Sequence, residues 1–188
     1  METMETLKTR RTIYDFKKDP VDRSIIEEVI HCAVLAPNHK MTEPWHFYVI
    51  QGDRKELLAT RRRELKWTGF LDQDSERAQK AGEKAYQQMV DIPCVIAVTT
   101  HRYSVDPVRE REDYAATSCA IQNLMLAAWD RGVGSKWGTG PLTKDKEARE
   151  IIGIAEEEAI AGFLFLGYPE KIPHPKKRHL NESITWLT

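Results

Sequence analysis

"REREDYAATSCAIQNLMLAAWDRGVGSKWGTG", Arg109 to Gly140, is the stretch on which the fold turns. Between Cys119 and Trp129 only Gln122 and Asn123 are strongly polar. That pattern predicts a helix apolar nearly all round, buried on every side as the central helix of the fold or shared with a second subunit. Gly132 supplies the helix stop, because glycine adopts the left-handed conformation that ends helices. Val133 then opens a short strand that turns into a glycine-rich loop, Gly134 to Gly140.

Outward from this helix the chain mixes helices and strands without a regular βαβ rhythm, so α+β is expected and a doubly wound sheet is not. The first ten or so residues read as helical and end at Arg10-Arg11. Asp22 is placed to cap a second helix with apolar positions Ile25, Ile26, Val29, Ile30, Ala33 and Val34, and Pro37 closes it. "WHFYVIQ", Trp45 to Gln51, is aromatic and β-branched and predicts a strand. The charged segment from Asp53 to Gln88 predicts surface helices broken at "WTGFLDQD", and on this reading Arg61 and Arg62 are bulk surface arginines. "PCVIAVTT", Pro93 to Thr100, is a continuous apolar run that predicts a strand covered on both faces. "AIAGFLFLGY", Ala159 to Tyr168, is a further strand. The tail beyond Pro169 holds three early prolines, a basic run and a possible short final helix; it predicts an extended segment that packs outside its own core.

The chain has 188 residues, 41% hydrophobic and 30% charged, with a formal charge of −1. One domain over 1–188 is expected, with 169–188 as its tail. Near-neutral charge gives no general attraction to nucleic acid or an anionic membrane, so any bound anion needs a local cluster of cations. The start lacks a basic n-region and an apolar h-region, and the longest apolar runs fall short of a membrane span, so a cytoplasmic location is expected. Cys32, Cys94 and Cys119 lie far apart in apolar segments and predict buried, reduced thiols. His31 with Cys32, and His174 with His179, lack metal-ligand spacing. Trp67, Trp129 and Trp186 read as core or interface residues.

Four polar or glycine-bearing clusters flank apolar elements: Arg10-Arg11-Thr12, the loop Pro37-Asn38-His39-Lys40 before Pro44-Trp45, Gly134 to Gly140, and Lys176-Lys177-Arg178. Guanidiniums beside a hydroxyl suit phosphate or carboxylate. No G-x-G-x-x-G is present, since Gly132 and Gly134 are followed by Trp137 where the third glycine would fall.

In order, "RRTIYDF", "PVDRSIIEEVIHCAVLAPNHKMTEPWHFYVI", "GVGSKWGTG", "AGFLFLGYPE" and "PHPKKRHLNESITWL" resemble the FMN-dependent nitroreductase family, in its short branch with an A-P-x-H-K loop. The resemblance implies an α/β sandwich forming an intertwined homodimer, with two FMN molecules at the interface and residues 169–188 exchanged between subunits. It implies that Arg10 and Thr12 hold the phosphate and ribityl end, that Arg11 sits near the flavin's pyrimidine edge, and that Leu35 and His39 come from across the dimer. Trp137, Gly138 and Thr139 would line the ring, and Arg178 would reach the phosphate. Relatives commonly carry Ser and Asn where this chain has Asn38, Met41 and Glu43, so the contact to the pyrimidine edge either comes from His39 or is missing.

The expected activity is ping-pong reduction of a nitroaromatic, quinone or similar flat electrophile with NAD(P)H as donor. The chemistry sits on the flavin N5, so no side chain is assigned as catalytic and no metal is expected. A guanidinium near N1 and the C2 carbonyl contributes about 1.5–3 kcal/mol to the reduced ring, which raises a two-electron potential by about 30–65 mV. The alternatives are a flavoenzyme of the same fold with another substrate, and a non-catalytic FMN-binding or storage dimer.

Overall fold

A computed structural model describes residues 2–103, 105–175 and 183–187. The elements run α1 (Thr3–Thr9), α2 (Arg23–Val34), β1 (Trp45–Ile50), α3 (Gly52–Trp67), α4 (Glu76–Asp91), β2 (Cys94–His101), α5 (Pro107–Asp130), β3 (Gly134–Gly138), α6 (Lys146–Ile152) and β4 (Glu158–Gly167). Short 3₁₀ turns occupy His39–Met41 and Pro141–Lys144. The four strands form one antiparallel sheet in the order β1-β2-β4-β3. The fold is α+β, as the irregular alternation of segments predicts.

Side-chain alternation along β2 explains why the sheet is covered on both faces. Cys94, Ile96 and Val98 point into one core with α2 and α5, including Val29, Ala120, Ile121 and Leu124. Val95 and Ala97 point into a second core with α3, α4 and α6, including Leu58, Met89 and Ile152. Full burial of a Leu, Ile, Val or Phe side chain contributes about 1.5–3 kcal/mol, so two such layers clamp the sheet. The register shifts at Val98/Thr99, where Val98 faces Gly162 and Thr99 faces Ile160. Ala161 is the extra residue of this bulge, and it joins Leu164 and Leu166 on the α5 side.

Four expectations need correction. Asp22 stands at the α2 N-cap, but its side chain caps nothing; its backbone carbonyl accepts from Ile25 and Ile26 N–H at 3.1 Å each. The α5 helix is not covered on every side: Ala120, Ile121, Leu124 and Ala128 are fully buried, while Tyr114 is 44% exposed and Cys119 is exposed as well. Among the described residues of one chain nothing covers its outward strip. Most of the predicted glycine-rich loop is strand β3, and only Thr139 and Gly140 lead on to the 3₁₀ turn. Ile184–Leu187 adopt no regular element, and Trp186 is 85% exposed.

Candidate functional site

The end of α1 feeds the first cluster to the free edge of β3. Arg10 is the C-cap of α1, with its N–H donating to Thr6 O at 2.9 Å. The chain then extends, Thr12 bridges to Ser135 in parallel, and Ile13 N–H donates to Ser135 O at 3.0 Å. Ser135 is 1% exposed, and its Oγ has no hydrogen-bond partner among the described residues. Arg11 takes another direction from the one expected: its Nη1 donates to Lys8 O and Arg10 O, both at 2.7 Å, folding the guanidinium onto the α1 C-terminus. That is the ordinary place for a cation to complement a helix dipole.

Beyond Ser135, β3 delivers alternate residues to opposite faces. The Trp137 ring packs in the α2/α5 core, with Nε1–H donating to the bulge carbonyl of Ala161 at 3.4 Å. Only its backbone remains available on the strand edge. Gly138 faces the other way, where a Cβ would meet Phe165 Cε2 at 3.0 Å. Thr139 is exposed.

On that second face lies a cavity of about 470 Å³ with Phe163, Phe165 and Leu142 among its apolar walls, and with Gly138 and Gly140 at its rim. Four cations line it: Arg62, Lys66, Lys84 and Lys136; among the described residues no carboxylate does. Arg62 is therefore not a bulk surface arginine, and neither is Arg61. The Arg61 guanidinium grips Asp145 through Nε at 2.9 Å and Nη2 at 2.8 Å, and reaches Glu64 at 3.0 Å and Glu147 at 3.1 Å. Asp145 also caps α6 by accepting from Ala148 N–H at 2.8 Å. This pairing fastens α3 to the turn that frames the cavity. It holds Asp145 below the usual carboxylate range, the Arg61 hydrogen bond being the first cause, and holds Arg61 above its own.

The loop after α2 is elsewhere. Leu35 is 69% exposed, and His39 Nδ1 pairs with Glu112 Oε2 at 2.8 Å near the start of α5. Lys40, Met41 and Glu43 all have left-handed backbones, with φ of 53°, 55° and 43°. Asn38 steadies them, its Oδ1 accepting from Glu43 N–H at 3.0 Å. Beneath the loop, Thr42 Oγ1 donates to Asp113 Oδ1 at 2.9 Å.

The two groups of predicted residues are thus far apart within one chain. Thr9 Oγ1 accepts from Trp129 Nε1 at 3.1 Å, whereas His39 touches Glu112. Those α5 anchors are separated by 17 residues, about 26 Å of helix. The groups also sit at opposite edges of the sheet, three strand spacings or about 14 Å apart. Arg178 lies outside the described residues. Arg62 and Lys136 escaped the sequence reading because a cation in a helix or strand carries no local mark of the cavity it will face. Among the described residues no group of His, Cys, Asp and Glu is placed to hold a metal ion, and no helix is long and apolar enough to cross a membrane.

Comparison with known proteins places this architecture. The model of the nitroreductase family matches residues 7–168, and the chain belongs to that family. A Bacillus subtilis protein, YfhC, assigned by name and provisionally to the NAD(P)H nitroreductases, is 33% identical over 175 residues, covering 93% of this chain and 88% of its own. A nitroreductase-like protein from Bacillus cereus superposes with a TM-score of 0.85 at 30% identity, covering 100% of this chain and 96% of its own. An FMN complex of a Desulfovibrio desulfuricans protein shares the fold, with a TM-score of 0.78 at 18% identity over 100% of this chain and 98% of its own.

Proposed function

We propose that the protein is an FMN-dependent oxidoreductase, a homodimer that takes electrons from NAD(P)H and passes them to a small flat electrophile such as a nitroaromatic or quinone. When bound, FMN supplies the redox chemistry, accepting two electrons and releasing them to the acceptor. The residues present fit that group. A cavity of about 470 Å³ lies in the range of cofactor clefts, its phenylalanine walls suit a planar ring, and its cations suit a negatively charged one. Ser135 Oγ is an orphaned hydroxyl beside Thr12 at the proposed phosphate end.

In this reading Arg10 and Thr12 hold the phosphate, and the backbone of Trp137, Gly138 and Thr139 lines the ring about 13 Å further along the β3 edge, four residues at strand spacing. Gly138 leaves the ring free to approach, since any side chain there would crowd Phe165. The α3/α4 pair walls the cavity through Arg62, Leu65, Lys84 and Ala85. Leu35 and His39 complete the site from the partner subunit, and Arg178 and the 169–188 tail belong to the same exchange. NAD(P)H and the acceptor use the open face of the ring in turn, which is why a ping-pong scheme fits a chain without a dinucleotide-binding glycine motif.

One observation carries the dimer: Arg10–Thr12 and His39 stand at opposite ends of α5, so a single chain cannot bring both to one ligand, whereas a second copy across the uncovered α5 strip can. The test is the visible spectrum of purified protein after FMN addition. A retained flavin band that bleaches with NAD(P)H, returns with a nitroaromatic and gives parallel double-reciprocal lines is the expected result. A protein that retains no FMN overturns the reading, and retained FMN that never bleaches leaves a storage dimer instead.

A further inference from the structure

Arg61 and Arg62 are neighbours with opposite electrostatic fates. Arg61 engages three carboxylates. Among the described residues Arg62 donates only to neutral acceptors, Ala85 O at 3.0 Å and Gln88 Oε1 at 3.3 Å. Across the cavity Lys136 Nζ lies 5.0 Å from the Tyr14 ring centroid and 5.7 Å from that of Phe165. Among the described residues no carboxylate pairs with it. Arg62 itself stands 6.0 Å from the Phe165 centroid, so two cations from opposite walls flank one aromatic ring. The molecule is not short of acids, having 29 against 28 lysines and arginines. Asp15 and Asp91 line a smaller cavity that Arg62 and Lys136 share, but among the described residues neither forms an ion pair with either cation, and Asp91 is paired with Lys18 at 3.8 Å instead. Burial, and then repulsion from Arg62, push Lys136 below the ordinary lysine range; burial does the same to Arg62. Charges kept half-buried without a counter-ion mark places where a ligand supplies it.

We propose that Arg62 and Lys136 form an anion-holding subsite for a planar aromatic ring that carries negative charge. This rests on the FMN reading above. The charge has two possible sources with the same chemistry. In one, the source would be the flavin itself: NAD(P)H would give up two electrons and one proton and leave as NAD(P)⁺, and Arg62 and Lys136 would hold the negative charge that the reduced ring carries. In the other, an aromatic acceptor stacked on the flavin brings a carboxylate. A guanidinium fork on one wall and a point-charge ammonium on the other suit either delocalised anion.

The holoprotein tests this with Lys136→Gln, Arg62→Gln and the charge-keeping Lys136→Arg, compared at equal melting temperature. One measurement is the midpoint potential of bound FMN by dye equilibration. The other is the affinity of oxidised holoprotein for 4-nitrobenzoate against neutral nitrobenzene, read from the perturbed flavin spectrum. With the flavin as source, Lys136→Gln weakens reduced relative to oxidised FMN at least about tenfold, a fall of about 30 mV, and Lys136→Arg restores it. With the acceptor as source, wild type favours the carboxylate at least about tenfold and the glutamine variants lose that preference. Either result supports the subsite and names its source. Variants that match wild type in both measurements overturn it while the FMN reading stands. FMN lost from Lys136→Gln and regained in Lys136→Arg also supports it, and FMN lost from both overturns it. Wild type that retains no FMN removes the functional reading, and this proposal with it.

Discussion

Asp145 joins two roles in one carboxylate, receiving the Arg61 fork and the Ala148 N–H. Its folded pKa lies below its ordinary 3.8. A depressed carboxylate contributes stability that is full above the unfolded value and is lost as pH falls through the folded one. Asp145→Asn is therefore expected to destabilise the protein at pH 7 by about 1–3 kcal/mol, with the gap to wild type closing as the melting curves are repeated at pH below 3.8. Cys94 illustrates the opposite shift. It is 1% exposed, and burial pushes its thiol up to about 12, against a smaller lowering by Lys55. Thiolate is the reactive form, so native protein at pH 8 should leave Cys94 unalkylated for as long as it stays folded, while denaturant exposes it. Mass spectrometry of iodoacetamide adducts checks this, and early native labelling of Cys94 would contradict it.

At the scale of elements, the loop between α2 and β1 is the strained piece. Three non-glycine residues with positive φ cost about 1–2 kcal/mol each, and Asn38 with buried Pro44 holds them there. Met41 is 74% exposed, so replacing it removes no core packing. Met41→Gly is expected to raise stability by up to about 1 kcal/mol, or about 2–4 °C in Tm, whereas Asn38→Ala lowers it by about 1 kcal/mol; thermal melts decide both. Most elements were legible because their cues are local: the α3/α4 break at Trp67–Asp74, the Gly132 stop and the apolar run of β2 all emerge where periodicity places them. The α6 helix was not. Seven residues with two buried positions, Ala148 and Ile152, give too short a stripe to stand out. Cys119 was misjudged for a related reason, since an apolar neighbourhood in sequence says a residue can be buried but not that a neighbouring element covers it.

For the whole molecule, the decisive expectation is composite sites. If Arg10 serves one ligand and His39 of the other chain completes the same site, a heterodimer of Arg10→Ala with His39→Ala carries one doubly damaged site and one intact site. Co-expressed and tandem-purified, it should recover about half of the wild-type FMN stoichiometry, a fraction fixed by the two-fold symmetry expected of homodimers. Each parent homodimer should bind weakly. Recovery no better than either parent would mean that each chain builds its own site. Sedimentation of the wild type should give a dimer near twice 21.7 kDa.

Sequence alone determined most of the helices and strands, the α+β class and the family, because hydrophobic period, glycine and proline stops and short motifs act over a few residues. It also singled out Arg10–Thr12, Leu35–His39 and Trp137–Thr139 as the segments proposed to meet the cofactor. Only the tertiary structure decided what the cations do. Arg61 meets Asp145, 84 positions away, and Arg62 beside it meets no acid among the described residues. Arg11, the cation expected near the ring, turns back onto α1, and Lys136 faces the cavity instead. Charge pairing depends on which distant elements fold together, and adjacent residues on a helix point about 100° apart; nothing in the local text records which of them will find a partner.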